Sequence, residues 1–505
     1  MASPSDSHND APLYGRVARG AAWMLAAGLG ARLLGALNTI VVARLLAPDD
    51  IGLVAVATIA MQLLQGLSDI GISQAVVRFR DADRDDLNTL FTLSLARGLV
   101  VAALLAASAP LAAAFYDDPR MTAVFFGVAA FPVILGLVNP RFYEFERELR
   151  FSREFIVAIL TKLAGVIVSV SIALIFRNYW AIILGLLAGG AMQLVLSYAT
   201  RPFRPRLSAK SFGKFFGFSG WLAGVSFVAA LNNKLDVPIL ARMLGAGGAG
   251  VYFMGFQLSE LVAGQLATPL TRAIYPGLAL IQDETDRVRV AFLRGVEALG
   301  VIAMPAAVGL AFIAEDLVLL LLGEKWRAAI PVIQILAPVI GVQSLFAATQ
   351  GYAVALGRPG VVFFRELIFL IVRLPLFVWA VVLYGMTGAV WAAAGAGLMH
   401  IGLNLALYAH ISKGPFWEPV WSARRSIFGV VIMSVYFLAF SDAVELAFGH
   451  TPLIFQVAGA VLAGAALYGA GLIVLWFIEG RPSGVESRML RMAEEWLSRA
   501  KVERS

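Results

Sequence analysis

The chain has 505 residues, of which 60% are apolar (counting Tyr, not Gly) and 14% charged, against roughly 45–50% and 25% in soluble domains. So little charge cannot cover an aqueous surface, which excludes a soluble enzyme and makes lipid the solvent. The absence of cysteine excludes disulfides and thiolate metal sites, and the net charge of +7 follows from topology, with no nucleic acid needed as a partner.

Residues 1–17 are polar and show no small-residue cleavage site after a short apolar stretch, so the first apolar run reads as an uncleaved signal anchor. A span needs about 20 mostly apolar residues. On that window, spans fall at 18–43, 51–77, 87–115, 121–140, 155–176, 179–200, 215–241, 250–275, 290–314, 329–356, 361–384, 387–411, 426–447 and 453–478. The expected class is an all-α polytopic membrane protein of about fourteen transmembrane helices. Its parts are a six-helix lobe (18–200), a basic linker (201–214), a second six-helix lobe (215–411) and two extra helices (426–478). Residues 483–505 read as an amphipathic helix, because Met489, Met492, Ala493, Trp496 and Leu497 share one face. Such a helix lies on the membrane surface or docks a partner.

Basic residues test this list. Of the 40 Lys and Arg, 29 fall in segments on the side of the N-terminus. Six (Arg44, Arg120, Arg177, Arg242, Lys325, Arg327) fall on the other side, and five lie within spans. The bias places both termini in the cytoplasm. Attraction of cytoplasmic loops to anionic lipids then accounts for most of the net charge.

The chain also repeats itself. When Trp23 is laid on Trp221, Ala31 falls on Ala229, Leu37 on Leu235, Ala43-Arg44 on Ala241-Arg242, Leu46 on Leu244 and Gly52 on Gly250. Six spans separate the copies, an even number, so the repeats run parallel, as in many transporters built from two halves.

Those segments carry a resemblance. Ala43 to Gly52 (Ala-Arg-Leu-Leu-Ala-Pro-Asp-Asp-Ile-Gly) resembles the segment after the first span of Wzx-type polysaccharide flippases, especially their WzxC-like branch. Asp69-Ile-Gly-Ile-Ser73, Arg147-Glu-Leu-Arg-Phe151, Tyr179-Trp-Ala181, Asp236 with Ala241-Arg-Met-Leu-Gly245, and Gly250-Val-Tyr252 agree in order. Arg177-Asn178 and Ala47 stand where that family often has glycine. These flippases belong to the multidrug/oligosaccharidyl-lipid/polysaccharide exporter superfamily. The resemblance implies two six-helix lobes around a central cavity in a bacterial inner membrane. It implies transport of undecaprenyl-pyrophosphate-linked oligosaccharide for lipopolysaccharide, capsule or exopolysaccharide synthesis. It further implies membrane lipids and polymerase or export machinery as partners, with no enzymatic activity and no cofactor.

Charge within a span costs at least a few kcal/mol, so such residues mark cavities or pairs. The set is Arg32, Asp69, Arg97, Lys162, Lys234, Asp236, Glu260, Glu297, Glu366 and Arg373. A pyrophosphate needs cationic donors and sugars need amides. The candidate substrate-binding residues are therefore Arg32, Asn38, Asn232, Asn233, Lys234, Arg373, Lys162 and Arg97. Asn232, Asn233 and Asp236 fall within one helical turn, and Asn38 is the repeat equivalent of Asp236. Asp69, Asp236 and Glu260 are candidates to bind a coupling H⁺ or Na⁺, or else to pair structurally; both readings stay open. Arg97, Lys162 and Glu297 also fit snorkelling near span ends. Arg44 and Arg242 read as structural or interfacial, His400 and His410 as packing or interface residues, and the pairs Asp49-Asp50 and Asp117-Asp118 as loop acids without supporting groups. A cation-coupled drug antiporter of the same fold and a peptidoglycan precursor flippase remain as alternatives. A membrane glycosyltransferase would need a larger extramembrane loop than the sequence provides.

Overall fold

The computed structural model describes residues 28, 30–68, 83–147, 151–212, 220–280, 284–448 and 451–481. Asp69 and its motif, Trp23, and the helix expected over 483–505 lie outside the described residues. Every described regular element is helical, and each of the fourteen expected spans meets a helix or one arm of a kinked helix. The long helices are α1 (30–45), α2 (Pro48–Leu67), α3 (Arg84–Tyr116), α4 (Arg120–Gly136), α5 (Phe151–Phe176), α6 (Trp180–Thr200) and α7 (Gly220–Lys234). They continue as α8 (Asp236–Leu280), α9 (Thr285–Phe312), α10 (Ile330–Leu345), α11 (Thr349–Ala355), α12 (Pro359–Ser412), α13 (Arg424–Phe448) and α14 (Leu453–Ile478). Nine described helical stretches are long and apolar enough to cross a membrane, and the chain is a multi-pass membrane protein.

Several span limits differ from expectation, each for a local reason. The span expected over 51–77 starts at Pro48, whose fixed φ suits a first helical turn; Ser68 caps its C-terminus through Leu64 O. The span expected over 121–140 ends at Gly136, and a 3₁₀ turn over Pro140–Tyr143 follows. The expected 329–356 span is two pieces, because Phe346, Ala347 and Thr349 take i−3 hydrogen bonds between α10 and α11. No loop separates the seventh span from the eighth: a kink at Gly245 (φ 78°, ψ 173°) lies within α8. Gly385 (φ 58°, ψ −134°) likewise folds α12 back on itself, so the expected spans 361–384 and 387–411 are its two arms. Only glycine enters such backbone readily. A Cβ on Gly388 would lie 2.0 Å from the Ala380 carbonyl oxygen, so the turn admits no side chain there.

The chain divides into two compact units, Met1–Gly250 and Val251–Ser505. The linker expected at 201–214 lies within the first, where α7 packs on α2. In this unit α1 enters the core through Val42 and Leu46, packed with Ala173 of α5 and Ala181 of α6. Glycines let helices touch: Gly98 of α3 faces the Pro132 carbonyl of α4, and Gly165 of α5 faces Gly185 and Gly189 of α6. The described part of the linker is laid along the start of α3. Arg206 N donates to Asn88 Oδ1 (3.0 Å), Ser208 N to Thr92 Oγ1 (2.9 Å) and Ser211 N to Thr89 Oγ1 (3.3 Å). Lys210 pairs with Asp85 at 2.8 Å, and the carboxylate holds the ammonium above its usual range. The acidic pairs do have supporting groups, against expectation. Asp50 accepts from Tyr179 N (3.1 Å) and Ala47 N (3.4 Å). Asp118 takes a forked pair of bonds from Arg120, which hold its carboxyl below the usual range.

In the second unit α13 and α14 dock on α9. Arg425 pairs with Glu297 (2.7 Å) and Glu479 (3.4 Å), Arg424 pairs with Glu479 (2.7 Å), and Tyr468 OH donates to Val301 O (3.1 Å). Glu297 is thus a half-buried partner within α9, held by Arg425.

Candidate functional site

In the first unit, α1 carries Arg32 and Asn38, both half-buried. Lys162 of α5 is exposed, and its Nζ lies 3.8 Å from where a Cβ on Gly35 would stand, so it sits beside α1. Arg97 of α3 is half-buried. At the junction of α7 and α8, Pro238 has no N–H to give the Lys234 carbonyl, and the helix breaks at Leu235. Asn232 and Asp236 flank this break on one face and are both buried. Asn233 is exposed and donates to Ala229 O at 2.9 Å. The expected three-residue cluster therefore reduces to Asn232 and Asp236, since neighbours on a helix point about 100° apart. Lys234 is half-buried. Arg242 lies over the Phe115 ring at 5.6 Å, a structural contact.

In the second unit, Glu260 of α8 is exposed, whereas Arg373 is buried on the first arm of α12. Its guanidinium stands 5.8 Å from the Phe369 ring centroid and 6.0 Å from that of Phe377, one turn to either side. A cation within about 6 Å of an aromatic face is attracted by the ring quadrupole.

The same arm bears a network that sequence reasoning missed. Arg365 and Glu366 are both buried. Arg365 Nη2 donates to Glu366 Oε1, and Nη1 donates to Asn404 Oδ1 on the second arm. His400 Nε2 lies 3.6 Å from Glu366 Oε1, and the imidazole packs against Phe369 at 4.8 Å between centroids. Asn404 Nδ2 donates to His400 O (2.9 Å) and lies 3.4 Å from His400 Nδ1. Arg365 stands near the start of its expected span, where a basic residue also fits the aqueous side. The available signal was His400 and Asn404, one turn apart in the next span.

Below this network the second arm ends in an aromatic and ionic clasp. Phe292, Tyr352 and Tyr408 stack with centroids 4.9–6.1 Å apart. Tyr408 OH donates to Glu418 (2.5 Å), which also accepts from Arg289 Nε (3.0 Å) and Nη2 (2.6 Å). Among the described residues no three His, Asp or Glu side chains gather as a metal-ligand set. The arrangement thus offers buried cations, amides and aromatic faces, and one half-buried imidazole beside a buried carboxylate.

Comparison with known proteins adds the following. The profile of the family described as polysaccharide biosynthesis protein matches residues 41–331. The chain is 28% identical over 392 residues to the lipopolysaccharide biosynthesis protein WzxC of Escherichia coli (strain K12), covering 76% of this chain and 78% of that protein. It is 21% identical to the succinoglycan biosynthesis transport protein ExoT of Rhizobium meliloti (strain 1021), covering 90% and 92%. The fold is similar to the lipid II flippase MurJ in an inward closed conformation, with TM-score 0.71, 13% identity, and 90% and 99% of the two chains covered.

Proposed function

This chain belongs to the polysaccharide biosynthesis protein family, and from that premise we propose that it flips lipid-linked oligosaccharide across a bacterial inner membrane. The substrate class is an undecaprenyl-pyrophosphate-linked repeat unit, turned from the cytoplasmic to the periplasmic leaflet by alternating access. The product feeds lipopolysaccharide, capsule or exopolysaccharide synthesis, and polymerase or export machinery takes it up. The protein acts as a transporter, not an enzyme. The names of WzxC and ExoT, one a lipopolysaccharide and one a succinoglycan biosynthesis protein, support this reading. So does the parallel repeat of the sequence, with six-helix halves over 18–200 and 215–411. The bias of basic residues supports cytoplasmic termini.

The observation that carries the reading is Arg373, a buried guanidinium flanked by two aromatic rings on a span-forming helix. A pyrophosphate and its sugars must pass about 30 Å of hydrocarbon. Guanidinium binds phosphate oxygens in a fork, and aromatic faces hold sugar rings. Arg32, Asn38, Arg97, Lys162, Asn232, Asn233 and Lys234 are further candidates to line the path. Asp69, Asp236 and Glu260 remain candidates for a coupling H⁺ or Na⁺.

The test is flipping of a fluorescent undecaprenyl-pyrophosphate oligosaccharide in liposomes, comparing wild type with Arg373→Ala. Flipping by the wild type that drops in a folded variant is expected. A folded wild type that flips none of several glycans but exchanges small organic cations would replace this reading with that of an antiporter.

A further inference from the structure

The Arg365–Glu366–His400–Asn404 network holds a buried charged pair inside α12, and nothing in the transport reading above uses it. Its composition is one permanent cation, one carboxylate, one amide and one imidazole, the side chain that titrates nearest neutrality. Its position is equally specific. Arg365 and Glu366 sit on the first arm of α12 and His400 and Asn404 on the second, so the network crosses between the two arms that meet at the Gly385 turn.

The hydrogen bonds assign a tautomer. Asn404 directs its Nδ2 toward His400 Nδ1 (3.4 Å), and an N–H₂ donor facing a ring nitrogen requires that nitrogen to be an acceptor. The amide orientation is itself fixed, because Asn404 Oδ1 accepts from Arg365. The ring proton then sits on Nε2, toward Glu366. A second proton can enter only at Nδ1. An Nδ1–H needs an acceptor where Nδ2 now stands, so the amide must turn and offer Oδ1 there. That rotation presents Nδ2 to Arg365, donor against donor, and breaks the Arg365–Asn404 bond between the arms. In exchange, the imidazolium and Glu366 form a charged pair across the same arms.

We propose that His400 is a proton-binding site, and that its loading exchanges the Arg365–Asn404 link between the arms of α12 for a His400–Glu366 ion pair. Proton occupancy and the Arg365 link are thereby coupled: whatever holds Arg365 away from Asn404 favours the proton, and the reverse. The groups facing the pair bear this out. α10 carries no ionisable residue, and α11 carries only Tyr352, which is stacked on Phe292 and Tyr408. On α12 itself Arg373 lies on the first arm among Phe369 and Phe377, and Tyr408 is engaged by Glu418 and Arg289. His410 is exposed. Glu366 is thus the one carboxylate on α10, α11 and α12. That loading drives transport rests on the flippase reading; that the proton binds does not.

The experiment has two arms. Full-length protein with ¹⁵N-labelled histidine rings in nanodiscs is followed by NMR from pH 5 to 9, with His400→Gln assigning the resonance. The expected result is an Nε2–H tautomer at high pH, a doubly protonated ring at low pH, and a midpoint that moves in Glu366→Gln. A ring held in one state across the range, or a midpoint that ignores Glu366→Gln, overturns the site. Asn404→Ala, which leaves Nδ1 without the amide, is expected to move the midpoint as well; no movement overturns the exchange. In the second arm, flipping of the fluorescent lipid-linked oligosaccharide is measured with and without an imposed pH gradient. A wild-type rate that follows the gradient, with the response lost in His400→Gln, supports coupling; an unresponsive wild type overturns it. Absence of any flipping counts against the flippase reading, while the NMR titration still decides the proton site.

Discussion

Gly52 and Gly250, the glycines that the sequence repeat superimposes, lie against each other in the first unit. A Cβ on Gly52 would stand 1.9 Å from the Ala246 carbonyl oxygen, and one on Gly250 2.0 Å from the Pro48 carbonyl oxygen. Pro48 and Ala246 are themselves repeat equivalents, so each glycine rests on the carbonyl four residues before the other. The contact is reciprocal and leaves no room for any side chain on either helix.

The first prediction follows from that contact. Gly52→Ala and Gly250→Ala each force backbone apart, because the obstructing atoms are carbonyls and not flexible side-chain ends. Overpacking of this kind costs about 1–3 kcal/mol, and the rigid obstacle puts these two at the upper end. Gly66→Ala, later in the same helix, meets nothing within 4 Å and serves as the control. Thermal unfolding in detergent, read by size-exclusion fluorescence, should show a lower midpoint for the first two and none for the third. An unchanged midpoint in Gly52→Ala would refute the reciprocal contact.

The linker gives a second prediction. Asn88 and Thr89 are buried on α3 and accept the backbone N–H groups of Arg206 and Ser211. Asn88→Leu removes an acceptor and leaves a backbone donor without its partner, a loss of about 1–3 kcal/mol locally. Residues 201–212 should then become the first site of limited proteolysis. Cleavage at the same rate as wild type would mean that the linker is held by other contacts.

How much of this was legible beforehand differs by scale. The spans were readable because an apolar window of about 20 residues is a strong signal, and even the Gly385 turn fell in the gap left between two spans. The Arg-to-Gly phrase of the repeat was readable too, but the sequence gives no distance between Gly52 and Gly250. Asn232, Asn233 and Asp236 looked like one cluster by proximity along the chain; helical geometry turns Asn233 outward. Arg365 by itself carries no sequence signal of a partner, because it stands near the start of its expected span. Its partner Asn404 is 39 residues away and is reached only because α12 doubles back. Glu297 likewise shows no partner in the sequence: the chain must fold before Arg425 can stand beside it.

That pair supplies a third prediction. Arg425 is buried and paired with Glu297 on α9 and with Glu479 after α14, so it ties the two extra helices to α9 within the second unit. Glu297→Ala strands much of a buried positive charge and should cost about 3–5 kcal/mol. The double variant Glu297→Leu/Arg425→Met removes both charges and should recover most of the loss, since apolar replacements of similar size avoid the desolvation cost. Unfolding midpoints of the two variants decide the point. A double variant as unstable as the single one would show that Arg425 matters through Glu479 instead.

The last prediction separates charge from shape at Arg373. Lysine there keeps a positive charge but loses the planar group that lies near both Phe369 and Phe377 and can bind phosphate in a fork. Truncating one partner of a buried charged contact costs about 2 kcal/mol or more, roughly thirtyfold in affinity. Under the flippase reading Arg373→Ala therefore slows flipping at limiting substrate by about that factor, and Arg373→Lys recovers only part of it. Phe369→Leu and Phe377→Leu remove the ring faces and keep the apolar volume, so they should weaken substrate capture less than loss of the cation does. Flipping rates at several substrate concentrations, alongside unfolding midpoints, separate these cases. Equal rates for Arg373→Ala and wild type, with both folded, would move the anion-binding role away from α12 and toward the cations of the first unit.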